Sequence, residues 1–363
     1  MTTTALTPQP DRFRTFALAA LLAVFAWRCT DVLGLLNQQS PGPDFSALWA
    51  GGRAALSAPS RIYDFAYVTA LQNWPFGEHL RPFVYPPSAL LLFAPLGALP
   101  LGVAYPLWTV ATGGLFLWGS RRVGAPWWIA LFPAVWLVAF CGQTTFAIAG
   151  LAALALAWRE RSITAGVLLG VAAAIKPQLL IFMPIALLAE WRWRSLISAG
   201  FTGLLLCGAS VAIWGLEPWQ AWFAALPRFQ TLFETTPGLI EDAITPYAWL
   251  QRNGWSTGPT LLLAPVAAAL VWLTVRRSDR PADRLIATFG GALLVSPYAM
   301  PYEAALLAPG VAVYLGTITH RRWLAYATAA CFYTVGLVHG PTSVLMALAL
   351  LAEPLWLSRR PTA

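Results

Sequence analysis

Long apolar segments separated by short arginine clusters constrain this chain more than any other feature. The 363 residues are 58% hydrophobic and only 10% charged, and the mean hydropathy is +0.63. Soluble domains carry about 25% charged residues, whereas a helix that crosses a bilayer needs about 20 predominantly apolar residues. The sequence therefore predicts an all-α, polytopic integral membrane protein that forms one membrane domain over residues 1–363.

The first apolar run covers residues 15–36 and follows Arg12 and Arg14, as the apolar part of a signal peptide would. No small-residue cleavage site follows Leu36, so we expect this run to stay in the protein as its first membrane span.

Arginine clusters recur between the later apolar runs and predict the topology. Short loops rich in Lys and Arg face the cytoplasm, so we place the clusters there and the N-terminus with them. The same rule explains the net charge of +8, so no nucleic-acid partner is expected; the clustered arginines indicate contact with membrane lipids instead. The clusters are Arg121-Arg122, Arg159–Arg161, Arg192–Arg194, Arg276–Arg284, Arg321-Arg322 and Arg359-Arg360.

Pairs of apolar runs between these clusters predict hairpins that turn on the extracytoplasmic face, in a bundle of about 12 or 13 transmembrane helices. Residues 86–120 are ambiguous, because Leu99-Pro100 divides them into two apolar runs. Either one run is re-entrant or Arg121-Arg122 lies outside. The predicted outer turns are Cys141–Gln143, Lys176–Gln178, residues 216–257, Ser296–Glu303 and His339–Pro341.

Two longer segments, residues 37–85 and 216–257, are predicted to be extracytoplasmic loops. In the first, Pro43-Asp44 is typical of a helix start, and an apolar stripe predicts an amphipathic helix along the outer membrane surface. Asp44 either caps this helix or performs chemistry, and Asp64 is expected to cap a second short element. The aromatic and acidic residues of 216–257 suit an interfacial lid or carbohydrate stacking. The stripe consists of Phe45, Leu48, Trp49, Ala55 and Leu56.

Several polar residues at the predicted outer turns need an explanation. Lys176 is the only lysine and has apolar neighbours on both sides, so it either snorkels to the interface or meets a phosphate or carboxylate. Gln143 is either a satisfied core amide or a sugar contact. Glu303, which follows Tyr298 and Tyr302, is either a helix-end charge or a second acid that faces Asp44.

Motifs of several enzyme classes are absent from the sequence. No Walker A motif, strand-linked GxGxxG, HExxH or GxSxG occurs in a suitable context, and the four cysteines show no CxxC spacing. We therefore expect no metal site and no cofactor.

The chain resembles glycosyltransferase family 87, whose members are GT-C-type membrane enzymes that use polyprenyl-phosphate sugars. The resemblance is spread over about residues 40–315 and rests on the order and spacing of several moderately specific motifs. These are PDFSALWAGGRAA, RIYD, FVYPPSALLLFAPLGALP, CGQTTFAIAGLAALAL, AAAIKPQLLIFMPIALL and SPYAMPYEAALLAPG.

The resemblance implies a GT-C-like bundle in the inner membrane and an inverting hexosyltransferase with an extracytoplasmic active site. Its donor would be a polyprenyl-phosphate sugar, mannose-like, and its acceptor a lipid-linked or envelope glycan. Asp44 would be the general base, and Lys176, helped by Arg53 or Arg81, would bind the donor phosphate. In the motif SPYAMPYEAALLAPG, the pair Tyr302-Glu303 departs from the family pattern. The implied substrate-binding residues are Tyr85, Gln143, Gln178, Tyr298, Tyr302 and Glu303.

Two other functions fit the same residues. A transporter or flippase for a lipid-linked or anionic substrate would also use a polar cavity between broken helices, although the two halves show no inverted repeat. A catalytically inactive scaffold for envelope assembly would keep the fold without the chemistry.

Overall fold

The computed structural model describes residues 42–72, 80–236, 238–317, 340–352 and 354–355, with isolated positions between 19 and 30. These residues form helices and no strands. Most of the predicted first span lies outside the described residues, as do the clusters at Arg321-Arg322 and Arg359-Arg360 and His339 of the last predicted turn.

The described helices follow one another with short connections. In chain order the α-helices are α1 Pro43–Ser57, α2 Phe65–Leu71, α3 Leu90–Gly97, α4 Leu101–Arg122, α5 Pro133–Cys141, α6 Thr145–Ala157, α7 Ser162–Ile175, α8 Met183–Ala189, α9 Trp193–Trp214, α10 Glu217–Thr235, α11 Leu239–Asp242, α12 Pro246–Arg252, α13 Leu263–Arg277, α14 Pro281–Val295, α15 Ala308–Thr317 and α16 Thr342–Ala349. The 3-10 helices are Pro59–Arg61, Pro87–Ala89, Trp127–Leu131, Pro177–Leu180, Gly258–Leu262 and Pro301–Leu306.

Three stretches among the described residues are long and apolar enough to cross a membrane: Leu101–Arg122, Trp193–Trp214 and Gly258–Arg277. The apolar window of Trp193–Trp214 is only 6% buried, so α9 presents most of its surface outward, as a lipid-facing helix does. The prediction of an all-α membrane protein is confirmed. The total of about 12 or 13 spans stays a prediction.

The ambiguous stretch before Arg121-Arg122 contains one long helix and one short helix. The 8 residues of α3 extend about 12 Å, too little for a hydrocarbon core of about 30 Å. The 22 residues of α4 extend about 33 Å, which is sufficient. A short and a long helix are what the alternative with one re-entrant run requires, and the topology of this stretch stays a prediction.

The helix α1 is enclosed more completely than the predicted surface stripe implies. Ala50 and Ala54, on the side away from the stripe, are both 0% exposed. A Cβ atom at Gly52 would lie 2.0 Å from the backbone oxygen of Phe93, so α1 and α3 pack at a distance that only glycine permits. Small residues that let helix backbones approach closely are typical of helix packing inside membranes.

The predicted cap at Asp64 is confirmed, because its Oδ1 accepts a hydrogen bond of 3.0 Å from the backbone N–H of Tyr67 at the start of α2.

The arginine clusters of three separate connections meet at one end of the bundle. Arg284 Nη2 lies 2.7 Å from Glu190, Arg192 Nη2 lies 3.0 Å from Glu160, and Arg159 Nη1 lies 3.7 Å from Glu190. The helices α6, α7 and α14 run between this end and the turns Cys141–Gln143, Lys176–Gln178 and Ser296–Glu303. The structure therefore separates the arginine clusters from the predicted outer turns, as the topology prediction requires.

Candidate active site

The three turns opposite the arginine clusters line one cavity of about 670 Å³. The segment around α1 and the helix α10 complete its walls. A volume between about 300 and 1,000 Å³ is usual for small-molecule sites. Eight of the residues that the sequence nominated line this cavity: Asp44, Arg81, Tyr85, Gln143, Lys176, Gln178, Tyr298 and Tyr302.

The turn at Cys141–Gln143 is held against α1 by a glycine. Gly142 ends α5 with φ 68°, in the left-handed region that favours glycine. A Cβ atom at this position would lie 2.5 Å from the Cβ atom of Phe45. Because the turn approaches α1 so closely, the side chain of Gln143 reaches Asp44.

Asp44 lies in the first turn of α1 but does not cap it. The N-cap position is Gly42, and no side chain bonds to the free N–H groups there. The Asp44 Oδ2 atom instead accepts a hydrogen bond of 2.7 Å from Gln143 Nε2. The alternative that Asp44 is only a helix cap is therefore not what the structure shows.

The environment of Asp44 shifts its affinity for protons. Burial raises the pKa of the carboxyl above its ordinary value, while the hydrogen bond from Gln143, the charge of Arg81 and a hydrogen bond with Tyr302 act in the opposite direction. The side chain nevertheless faces the cavity and stays partly exposed to it. A carboxylate with a raised pKa at a cavity wall is a stronger proton acceptor than one in water.

Lys176 has a carboxylate partner. The lysine follows the last residue of α7, and its Nζ atom bonds directly to Glu303 Oε1. The other oxygen of Glu303 accepts a 3.1 Å hydrogen bond from the backbone of Met300, which places the glutamate at the start of the helix Pro301–Leu306. Only 7% of Lys176 and 2% of Glu303 are exposed. This buried pair excludes snorkelling and leaves Glu303 just behind the cavity wall.

The two candidate arginines lie in different places. Arg81 lines the cavity and donates a hydrogen bond of 3.1 Å to the carbonyl of Pro43, next to Asp44. Arg53 does not line the cavity; its guanidinium packs 5.5 Å from the ring centre of Trp49. Residues that are nine positions apart on a helix point about 180° away from each other, so Arg53 lies on the opposite side of α1 from Asp44.

The helix α10 supplies apolar cavity residues that the sequence analysis missed or left unassigned. Its Trp222 ring is fixed by a 3.1 Å hydrogen bond from Nε1 to the carbonyl of Val84. Phe229 and Phe233 each pack against Tyr298, with ring centres 5.1 Å apart. Leu226 continues the stripe. The spacing 222, 226, 229, 233 is that of one helix face, and this pattern could have identified them.

The described residues contain no group of three or more His, Cys, Asp and Glu side chains that could hold a metal ion. The polar side chains that line the cavity are one carboxylate, Asp44, the two cations Arg81 and Lys176, and amides and phenols between them.

The sequence profile of glycosyltransferase family 87 matches residues 83–297. This chain belongs to glycosyltransferase family 87. The matched region of this family 87 chain includes Tyr85, Gln143 and Lys176, while Asp44 and Tyr302 lie outside it. The family match therefore covers part of the candidate site and does not include those two residues.

Two curated relatives are polyprenol-phosphate-mannose-dependent alpha-(1-2)-phosphatidylinositol pentamannoside mannosyltransferases. The one from Mycobacterium tuberculosis is 26% identical over 294 residues, which are 72% of this chain and 64% of the relative. The one from Mycolicibacterium smegmatis is 27% identical over 345 residues, which are 85% of this chain and 75% of the relative. The family 87 chain thus spans under two thirds of the first relative's length. No solved structure is significantly similar to it.

Proposed function

We propose that this protein is an inverting membrane glycosyltransferase that moves a mannose-like hexose from a polyprenyl-phosphate donor to a lipid-linked or envelope glycan acceptor. The observation that carries the proposal is the cavity in which Asp44, Arg81 and Lys176 face the same space. Membership of family 87 supports the transferase activity. The two mycobacterial relatives, whose names state a polyprenol-phosphate-mannose donor and a phosphatidylinositol mannoside acceptor, support the substrate classes.

Asp44 is the general base of this mechanism. The acceptor hydroxyl gives its proton to the carboxylate while its oxygen forms a bond to the anomeric carbon. The bond between that carbon and the phosphate oxygen breaks, and its electron pair leaves with the polyprenyl phosphate. Attack from the face opposite the phosphate inverts the configuration at the anomeric carbon.

The cations of the cavity stabilise the departing phosphate. Arg81 and Lys176 both line the cavity, and fixed charges aimed at the place where charge develops are effective because they need no reorganisation. Glu303 already offsets the charge of Lys176. As the phosphate gains a negative charge, Asp44 loses one by accepting the proton, so the total charge of the cavity stays constant through the transfer. This balance suits a buried site, where uncompensated charge is costly.

The aromatic face of α10 suits the sugar and the lipid. Trp222 and Phe229 offer flat apolar surfaces beside the polar wall that holds Asp44. Rings of this kind present an apolar body to a sugar face or to an isoprenoid unit. The outer turns, with residues 37–85 and 216–257, then form the extracytoplasmic face of a plasma-membrane enzyme, since the arginine clusters lie at the other end.

Transfer from chemically defined donors tests this proposal. Purified protein is incubated with membrane lipid extract and a panel of labelled polyprenyl-phosphate hexoses, with a nucleotide sugar as the control donor. Label should enter the lipid fraction from a polyprenyl-phosphate donor only. Label that enters from the nucleotide sugar, or from no donor although the protein is folded, contradicts the proposal, and the second result points to transport or scaffolding.

A further inference from the structure

Every hydrogen-bonding position of the Gln143 amide is filled by the protein. Its Nε2 atom donates to Asp44 Oδ2 at 2.7 Å and to the Tyr302 hydroxyl at 3.0 Å. Its Oε1 atom accepts from the Tyr85 hydroxyl at 2.9 Å and from the backbone N–H of Thr144 at 3.3 Å. A primary amide has two N–H donors and two acceptor lone pairs. A sugar hydroxyl could therefore bind Gln143 only if one of these bonds broke.

Elementary chemistry dictates the direction of each bond in this network. An ionised carboxylate only accepts hydrogen bonds, so Gln143 must turn its nitrogen to Asp44 and its oxygen to Tyr85. The Tyr85 hydroxyl donates its one proton to Gln143. The Thr144 hydroxyl, 3.1 Å away, must therefore donate to Tyr85. The Tyr302 hydroxyl accepts from Gln143, so its own proton is available to the neighbouring Asp44 carboxylate. All donors in the network are thus directed toward Asp44.

Several charged and titratable groups face Asp44 from the elements packed around it. Arg81 and Lys176 stabilise the ionised carboxylate, and Tyr85, Cys141 and Tyr302 surround it. Burial raises the pKa of Asp44, and the hydrogen bond from Gln143 is the largest of the effects that oppose this. The neutral amide of Gln143 therefore acts in the same direction as the two cations, through a direct hydrogen bond of 2.7 Å to the carboxylate.

We propose that Gln143 is a positioning residue, which orients the Asp44 carboxylate and keeps it ionised as a proton acceptor, with Tyr302 as the second donor. This inference rests on the proposed role of Asp44 as the general base. It replaces the expectation that Gln143 contacts the sugar. Such a network acts as a unit, because each donor in it is held by the next.

Two variants of similar size test the assignment. Gln143→Met removes both donors, and Gln143→Glu places a second carboxylate beside Asp44. For Gln143→Met, the acidic limb of the kcat/KM profile should move up by about one to two pH units, since a hydrogen bond to a charged group is lost. Gln143→Glu should move it further because like charges repel. The donor KM should stay within about twofold of wild type while kcat falls.

A direct titration gives a result that does not depend on turnover. Infrared difference spectra follow protonation of the Asp44 carboxyl, with Asp44→Asn identifying its band, and Gln143→Met should shift the titration to higher pH. Thr112→Val is the matched control, because this buried hydroxyl bonds only to the carbonyl of Trp108 in its own helix. The control should lose some thermal stability and leave the titration of Asp44 unchanged.

Three results would overturn the inference. An unchanged acidic limb with a raised donor or acceptor KM would make Gln143 a sugar contact, and an Asp44 titration that no Gln143 variant moves would make it a purely structural amide. An equal shift in Thr112→Val would show that loss of stability alone moves the titration. If wild type transfers no sugar at all, the proposed function fails, while the infrared titration still decides whether Gln143 controls Asp44.

Discussion

The buried pair of Lys176 and Glu303 allows the structural role of the lysine to be separated from its role in binding. Both side chains are almost fully buried, and they bond to each other. Removing one partner leaves an uncompensated buried charge, which costs about 3–5 kcal/mol. Replacing both partners with apolar residues of similar size is often close to neutral. A single substitution in the pair should therefore lower the stability of the protein much more than replacement of both residues.

We expect Lys176→Met and Glu303→Leu each to destabilise the protein by about 3–5 kcal/mol. The loss for Lys176→Met should lie at the lower end of this range, because Glu303 keeps its hydrogen bond from the backbone of Met300. The double variant should be within about 2 kcal/mol of wild type, which gives a large coupling energy. Thermal unfolding in detergent measures the stability of all four proteins. In the same samples, polyprenyl-phosphate binding should be weak in both proteins that lack Lys176, including the stable double variant.

Two outcomes would refute this reasoning. A double variant whose loss equals the sum of the two single losses would show that the pair is not coupled. A stable double variant that binds polyprenyl phosphate as tightly as wild type would remove Lys176 from the phosphate site, even though it lines the cavity.

Two further predictions concern the arginines and metal ions. Arg81→Gln should weaken binding of the polyprenyl-phosphate donor by about 10- to 100-fold, the value of one charge-assisted hydrogen bond. The matched control Arg53→Gln should leave the donor Kd unchanged because Arg53 lies outside the cavity. Calorimetry measures the donor Kd of both variants, and an equal loss of donor affinity in the two would contradict this placement. Sugar transfer should continue after treatment with EDTA, since the mechanism uses Asp44 and the two cations alone, and a loss of transfer that a divalent ion restores would contradict it.

The turns that line the cavity were predictable from the sequence because the signals are local. Proline, glycine and the spacing of arginine clusters locate Cys141–Gln143, Lys176–Gln178 and Ser296–Glu303 without knowledge of the fold. Their convergence on one cavity was a consequence of the topology, since hairpins that share a face must bring their tips to the same side.

Pairings between distant residues could not be predicted in this way. An anionic partner was one of two alternatives that the sequence left open for Lys176, but Glu303 is 127 residues away, and nothing local distinguishes it from the other acids. The same applies to Gln143 and Asp44, which are 99 residues apart. Such contacts depend on how the helices pack, which periodicity does not encode.

Two details of the structure go beyond what the sequence patterns predicted. The apolar stripe of α1 predicted an amphipathic helix, and Ala50 and Gly52 also let it pack closely against other helices, which small residues do not signal because they carry little polarity. The family resemblance offered Arg53 or Arg81 as a helper of Lys176, and helical geometry turns Arg53 to the side of α1 opposite Asp44.

Comparison of wild type with Asp44→Asn tests the central claim most directly. Both proteins are purified in detergent, shown to unfold at similar temperatures, and supplied with a labelled polyprenyl-phosphate hexose and membrane lipid extract. The amide keeps the size of the carboxylate but cannot accept the proton, so we predict transfer by wild type and at least a 100-fold lower rate for Asp44→Asn, in line with the contribution of a general base, about 10²–10⁴. Transfer by Asp44→Asn at the wild-type rate would contradict the assignment of Asp44 as the base.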